Sequence, residues 1–172
     1  YQAHHDSLTG VLSRNGFVQA SNLLLQRLAH ERGSLAVLML DLDHFKRVND
    51  SHGHATGDLL LCEFSRTVVH TLRPQDVFGR IGGEEFAVVL PHISAQDAAT
   101  IAERLCLAVR SGTFQTLRNE PLPATVSIGI VHVAQLSPHE PIENLLRDAD
   151  VALYQAKSRG RDCVMLGQKK KK

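Results

Sequence analysis

The sequence has no apolar run approaching the roughly 18 residues that a membrane-crossing helix requires. Nor does it open with the charged-then-apolar leader of a secretory signal. It holds only three cysteines, Cys62, Cys106 and Cys163, none paired at metal spacing and each among apolar neighbours. They are expected to be buried free thiols in a reducing compartment. The ten histidines include His4-His5 and the near pair His52 and His54. No His-Glu-x-x-His segment and no Cys/His cluster accompanies them, so they read as surface or core residues rather than zinc ligands. A strong charge of either sign is missing too. Net charge is +1, and four of the positive charges are the terminal run Lys169 to Lys172, so the rest of the chain carries −3. A slightly acidic body shows no footprint for a nucleic-acid partner. The lysine run reads as a solvated tail.

What is there is the material of an ordinary globular domain. Of 172 residues, 43% are hydrophobic and 22% charged, enough for one sizeable core. The expected division is an upstream linker end at residues 1–5, one domain at 6–167, and a disordered basic tail at 168–172. The abrupt opening, Tyr1-Gln2-Ala3, is that of a piece cut from something longer.

Periodicity supplies the elements. Phe17, Leu24, Leu25 and Leu28 form a helical face within Ser13 to Glu31, closed by Gly33. Leu35 to Leu42 reads as a buried strand with Asp41 and Asp43 at its exit. A short polar helical turn follows. Thr56 is placed to cap the next helix, whose Leu60, Phe64, Val68 and Leu72 repeat every four residues until Pro74. Residues 77–90 read as a hairpin, with Gly82-Gly83 as a tight turn at positive φ. Ser94 caps a helix carrying Ile101, Leu105 and Val109. Two strand-like pieces, Phe114 to Leu117 and Ala124 to Val133, come next. Ser137-Pro138 opens the last helix, with Leu145, Ala149, Leu153 and Ala156 inward and Gly160 at its end. "DCVML" (residues 162–166) reads as a final short strand. The resulting order, α-β-α-β-β-α-β-α-β, predicts an α/β (α+β) fold with helices packed on a sheet and a central hairpin.

One stretch, "RIGGEEFAVVL" (residues 80–90), sets two glutamates at the start of an otherwise apolar strand. Solvated charges beside a hairpin tip are common. The reading changes because Asp41 and Asp43 stand at the exit of the strongest strand. If that strand neighbours the hairpin, Asp41, Glu84 and Glu85 converge. Three uncompensated carboxylates raise one another's pKa. A divalent cation removes that cost, and an all-oxygen donor set suits Mg²⁺ or Mn²⁺, which commonly also binds substrate phosphates. Phosphate-binding parts are near: His44, Phe45 and Lys46 open a helical turn with free N–H groups, and Lys46 adds a charge. Lys157 and Arg161 lie four apart at the end of the last helix, where they would equally offset its dipole. Asn49 and Asp58 flank "DSHGHATG" as a turn residue and a helix first-turn acid. A carboxylate there could instead accept the ring N–H and amine of guanine.

Taken together these segments resemble the GGDEF family, the diguanylate cyclases, in the GGEEF form of the signature. The likeness runs through "DSLTG", "DLDHFKRVND", "GHATGD", "RIGGEEF", "TVSIGI" and "DADVALYQAKSRGRD", in the family's order and over nearly the whole chain. It implies a central, mostly antiparallel sheet surrounded by helices, similar to adenylyl cyclase and polymerase palm domains. It implies condensation of two GTP into cyclic di-GMP and two pyrophosphates, dependent on Mg²⁺ or Mn²⁺, by a homodimer whose two domains face each other. Asp41 and Glu84 match the family's metal-binding acids, with the carbonyl of Leu42. Glu85 matches the second signature acid. Asn49 and Asp58 match the guanine-recognising pair, and Lys46, Lys157 and Arg161 the phosphate contacts, beside the N–H groups already read at His44 and Phe45. Arg73 and Asp76 fall where the family carries its product-inhibition motif, five residues before the signature, with Arg104 as a second contact for cyclic di-GMP.

The resemblance further implies a cytoplasmic domain under an upstream sensory or regulatory domain, in a parent that can be membrane-anchored. Two departures stand out. The usual Asn-Arg-Arg is Ser13-Arg14-Asn15 here, and the usual Gly-Arg-Asn is Gly160-Arg161-Asp162. The competing expectation is a GGDEF module that binds GTP or cyclic di-GMP without turning it over.

Overall fold

A computed structural model describes residues 4–170. The elements, in chain order, are α1 (Arg14–His30), β1 (Leu35–Leu42), α2 (Phe45–His52), α3 (His54–Thr71), β2 (Val77–Arg80), β3 (Glu85–Pro91), α4 (Ala95–Arg110), β4 (Val126–Val133), α5 (Ile142–Ser158) and β5 (Val164–Leu166). The five strands form one sheet in the order β2-β3-β1-β4-β5. Three pairings are antiparallel and only β4 with β5 is parallel. The expected α+β class holds.

Strand β1 lies at the centre and is buried along its whole length. Its alternation feeds two cores. Ala36, Leu38 and Leu40 pack with Phe86, Val88 and Leu90 of β3 under α3 and α4. Leu35, Val37 and Met39 pack with Ala87 and Val89 under α1 and α5. With one helical layer on each face, the sheet has no solvated side from which β1 could slip in register. Its exit, and the acids there, are therefore fixed.

Several local expectations are corrected. Gly53, at φ 86°, is both the end of α2 and the start of α3, so two helices are joined at one residue. The second begins at His54, and Thr56 is a buried helix residue rather than its cap. Gly82 and Gly83 are not among the residues at positive φ. Their loop is closed instead by the N–H groups of Ile81 and Gly82, which both donate to the Glu85 carbonyl. Phe114 to Leu117 forms no strand but one side of a turn. Asn119 sits there at φ 60°, and the Thr116 hydroxyl accepts from the N–H groups of Arg118 and Glu120. The last helix starts at Ile142 rather than at Ser137-Pro138, because left-handed His139 (φ 63°) interrupts the chain before Pro141. No side chain of its own caps it. Asn22 of α1 reaches across, and its Oδ1 accepts from the Ile142 N–H at 3.0 Å.

Of the cysteines, only Cys106 is buried; Cys62 and Cys163 are half-buried, and all three are free. In the tail, Lys169 lies 3.5 Å from Glu140, and the Lys170 N–H donates to Asp148. Lys171 and Lys172 lie outside the described residues. No helix among the described residues is long and apolar enough to cross a membrane.

Candidate active site at the exit of the central strand

The site begins with register. Asp41 on β1 pairs directly with Glu85 on β3. Both follow the parity of Met39 and Ala87, so both belong to the face covered by α5. Glu84 precedes Glu85 in the loop, and its carbonyl accepts from the Leu42 N–H at 3.4 Å. The hairpin and the central strand thus bring Asp41, Leu42, Glu84 and Glu85 to one edge.

These carboxyls burden one another. Burial pushes the Asp41 carboxyl up, against the hydrogen bond from Lys157. Burial also pushes Glu84 up, and the charge of Asp41 pushes it further. Glu85 rises for the same two reasons, with Asp150 adding to them. Two cations of the protein act against this crowding, Lys157 on all three acids and Arg14 on Glu85. Lys157, at the end of α5, places its Nζ 2.7 Å from Asp41 Oδ2. Among the described residues no three His, Cys, Asp or Glu side chains are gathered so as to enclose a metal ion. Still, the excess of carboxylate over cation, and a donor set of oxygen alone, fit a hard divalent ion.

Asp43 belongs to a different task. Its carboxylate accepts from the hydroxyls of Thr125 and Ser127, both at 2.7 Å, and from the Asp162 N–H at 3.0 Å. It staples the loop after α5 to the sheet. That loop holds Gly160, Arg161 and Asp162 at φ 110°, 65° and 48°. Arg161 is left exposed on it. Asp162 replaces the family's usual asparagine and forms a two-toothed pair with Arg110 of α4, at 2.8 and 3.1 Å.

The other expected residues fall into two groups. His44 is the left-handed N-cap of α2 and gives no side-chain cap, Phe45 is buried, and Lys46 is exposed. Asn49 lies in the last turn of α2, and its Oδ1 is buried without a hydrogen-bond partner. Asp58 is exposed one residue beyond Gly57 on α3. Away from the hairpin, Arg73 is held through Nε and Nη2. Its guanidinium holds Asp76 at 2.8 and 3.0 Å and also donates to the Pro91 carbonyl. Arg104 stands exposed on α4 and bonds to neither of them.

Sequence reasoning missed the clamp on the hairpin loop. Arg80 donates to the carbonyls of Gly82 and Gly83 and to the Asp6 carboxylate. Burial raises the Asp6 pKa, but Thr9 and Arg80 outweigh it and hold the group below the ordinary carboxylate range. An arginine two residues before a glycine pair was the available signal, since glycine carbonyls are open to such a donor. Arg14, the retained arginine of the altered segment, reaches the Ile81 carbonyl at 3.4 Å.

A family model described as "Diguanylate cyclase, GGDEF domain" matches residues 3–163. The chain belongs to the GGDEF family. It is 39% identical over 171 residues to the uncharacterized protein YhcK of Bacillus subtilis, covering 99% of this chain and 47% of YhcK. It is 36% identical over 166 residues to the diguanylate cyclase DgcM of Escherichia coli K12, covering 96% and 38% respectively. It thus spans less than half the length of either relative. Among solved structures, the GGDEF domain of PA1120 (TpbB or YfiN) from Pseudomonas aeruginosa superimposes with a TM-score of 0.87 at 35% identity, over 95% of this chain and 94% of that one. The GGDEF domain of DgcB from Caulobacter crescentus, in complex with c-di-GMP, gives 0.83 at 31% identity and 96% coverage of both.

Proposed function

We propose that this GGDEF domain is a diguanylate cyclase that condenses two GTP into cyclic di-GMP and two pyrophosphates. The observation that carries the reading is the Asp41–Glu85 register with Glu84 beside it, an acidic edge of one buried and two half-buried carboxyls with too little counter-charge. In the reaction the 3′-hydroxyl of each GTP attacks the α-phosphate of the other, and pyrophosphate leaves. Asp41, Glu84, Glu85 and the Leu42 carbonyl would hold Mg²⁺ or Mn²⁺, which when bound lowers the pKa of the attacking hydroxyl and offsets charge on the leaving oxygens.

The chain's own groups do the rest. Asn49 and Asp58 hold the guanine, with the Asp58 carboxylate accepting from donors that adenine lacks. The N–H groups opening α2, together with Lys46, Lys157 and Arg161, hold the phosphates. One domain holds one GTP, so two domains meet face to face. Arg73, Asp76 and Arg104 form a separate product site through which cyclic di-GMP restrains turnover.

The test is incubation with Mg²⁺ and either GTP or ATP. GTP alone is expected to yield a cyclic dinucleotide and pyrophosphate, at a specific activity that rises with protein concentration. Constant specific activity in a protein shown to stay monomeric contradicts the two-domain reaction. In the Arg73→Ala variant turnover is expected to persist without inhibition by added cyclic di-GMP.

A further inference from the structure

At the junction of α2 and α3 the backbone of one helix meets the side chain of the other with no room to spare. A Cβ built on Gly57 would stand 1.9 Å from Asn49 Oδ1 and 3.0 Å from Asn49 Cγ, and 3.2 Å from the Phe45 ring. Gly57 is well inside α3 and is not at positive φ, so its backbone does not require glycine. Alanine would be the better helix former at that position. The constraint is therefore the neighbour and not the backbone.

Asn49 cannot retreat. Gly53 joins the two helices at one residue, and its N–H donates to the Asn49 carbonyl at 2.9 Å, while the Gly57 N–H donates to the Gly53 carbonyl at 3.2 Å. Phe45, one turn earlier on α2, is buried in the core. The amide oxygen occupies the space that a Gly57 side chain would take, buried and unpaired.

We propose that Gly57 is a positioning residue for nucleotide recognition: the missing side chain is the seat that holds the Asn49 amide against α3, with its free edge presented beside Asp58. The inference rests on the reading of Asn49 and Asp58 as base-recognising residues. With Oδ1 against Gly57, the edge left for a ligand is the Nδ2 donor. Asn49 then reads an acceptor on the base while the Asp58 carboxylate reads its donors. A methyl group on residue 57 would tilt the amide out of that pose without touching the acidic edge at Asp41, Glu84 and Glu85.

The experiment is a double-mutant cycle with Gly57→Ala, Asn49→Ala and the combination. Binding of 3′-deoxy-GTP, which lacks the attacking hydroxyl, is measured by calorimetry with Mg²⁺, and GTP turnover in parallel. Gly57→Ala is expected to weaken binding about tenfold and raise KM to match, with kcat changed less than about twofold. Asn49→Ala is expected to weaken binding similarly, and the double variant no more than Asn49→Ala alone. If Gly57→Ala costs as much in the Asn49→Ala background as in the wild type, Gly57 acts through the fold and the inference fails. Wild-type binding by Gly57→Ala, beside a weakened Asn49→Ala, overturns the inference but leaves the base-recognition reading standing. Wild-type binding by Asn49→Ala overturns both. Should Gly57→Ala not fold, the double variant, which keeps only the 3.2 Å approach to the Phe45 ring, must fold; if it does not, the inference fails.

Discussion

Lys157 Nζ stands 2.7 Å from Asp41 Oδ2, so the most buried acid of the site already carries a cation of the protein's own. A divalent ion held by Asp41 would compete with that ammonium for the carboxylate, and a nucleotide phosphate would give the ammonium somewhere to go. Metal and nucleotide should therefore load together. Lys157→Met is expected to bind Mn²⁺ more tightly in the absence of nucleotide, by about tenfold, and to bind GTP more weakly. Thermal stabilisation as a function of Mn²⁺ concentration reads the first effect. Unchanged Mn²⁺ affinity would mean that the lysine does not compete for Asp41.

The same carboxyls set a pH dependence. In the folded protein Asp41, Glu84 and Glu85 hold their protons to higher pH than ordinary carboxylates do. Between the ordinary and the raised values the native state binds more protons than the unfolded state, so stability falls as pH rises through that window. Asp6, held low, acts in the opposite sense and only at more acid pH. Metal-free protein is thus expected to lose stability more steeply than the Glu84→Gln/Glu85→Gln double variant as pH rises above the ordinary carboxylate range of about 4. Denaturant melts at a series of pH values compare the slopes; parallel curves would remove the carboxyl crowding from the account.

The hairpin loop depends on Arg80, whose guanidinium ties the Gly82 and Gly83 carbonyls to Asp6. Arg80→Ala should leave the sheet intact and let Glu84 and Glu85 wander. A displacement of about 1 Å at a reacting centre costs roughly a hundredfold in rate. A fall in kcat on that scale, with native circular dichroism, is expected. Full turnover would reduce Arg80 to a loop residue.

Asn22 offers a test of the fold alone. It caps α5 from another helix, and loss of a cap costs about 1 kcal/mol. Asn22→Ala is expected to lower Tm by about 2–4 °C for a domain of this size, with turnover per folded molecule unchanged.

Much of this was legible in the sequence, for physical reasons. Strand β1 was readable to its ends because burial on both faces makes an unbroken apolar run, and the acids at its exit followed. The cap at Ser94 was readable because its signal is local. The failures share a cause. The cap of α5 is lent by Asn22 from 120 residues away. The hairpin loop is closed by Arg80 and not by glycine conformation. The role of Asp43 depends on Thr125, Ser127 and Asp162, which only the sheet brings to it. The seat of Asn49 is an absence on another helix. Contacts between distant segments leave no periodic trace in the sequence.

The central claim is that the acidic edge at Asp41, Glu84 and Glu85 performs a GTP condensation. Its most direct measurement is chromatography of the products after wild-type protein, Glu84→Gln and Glu85→Gln are each incubated with GTP and Mg²⁺. Cyclic di-GMP and pyrophosphate are expected from the wild type, at least about a hundredfold less from either variant, and native melting behaviour in all three. Wild-type yield from either variant, or no cyclic dinucleotide from a wild type shown to be dimeric and metal-loaded, would contradict it.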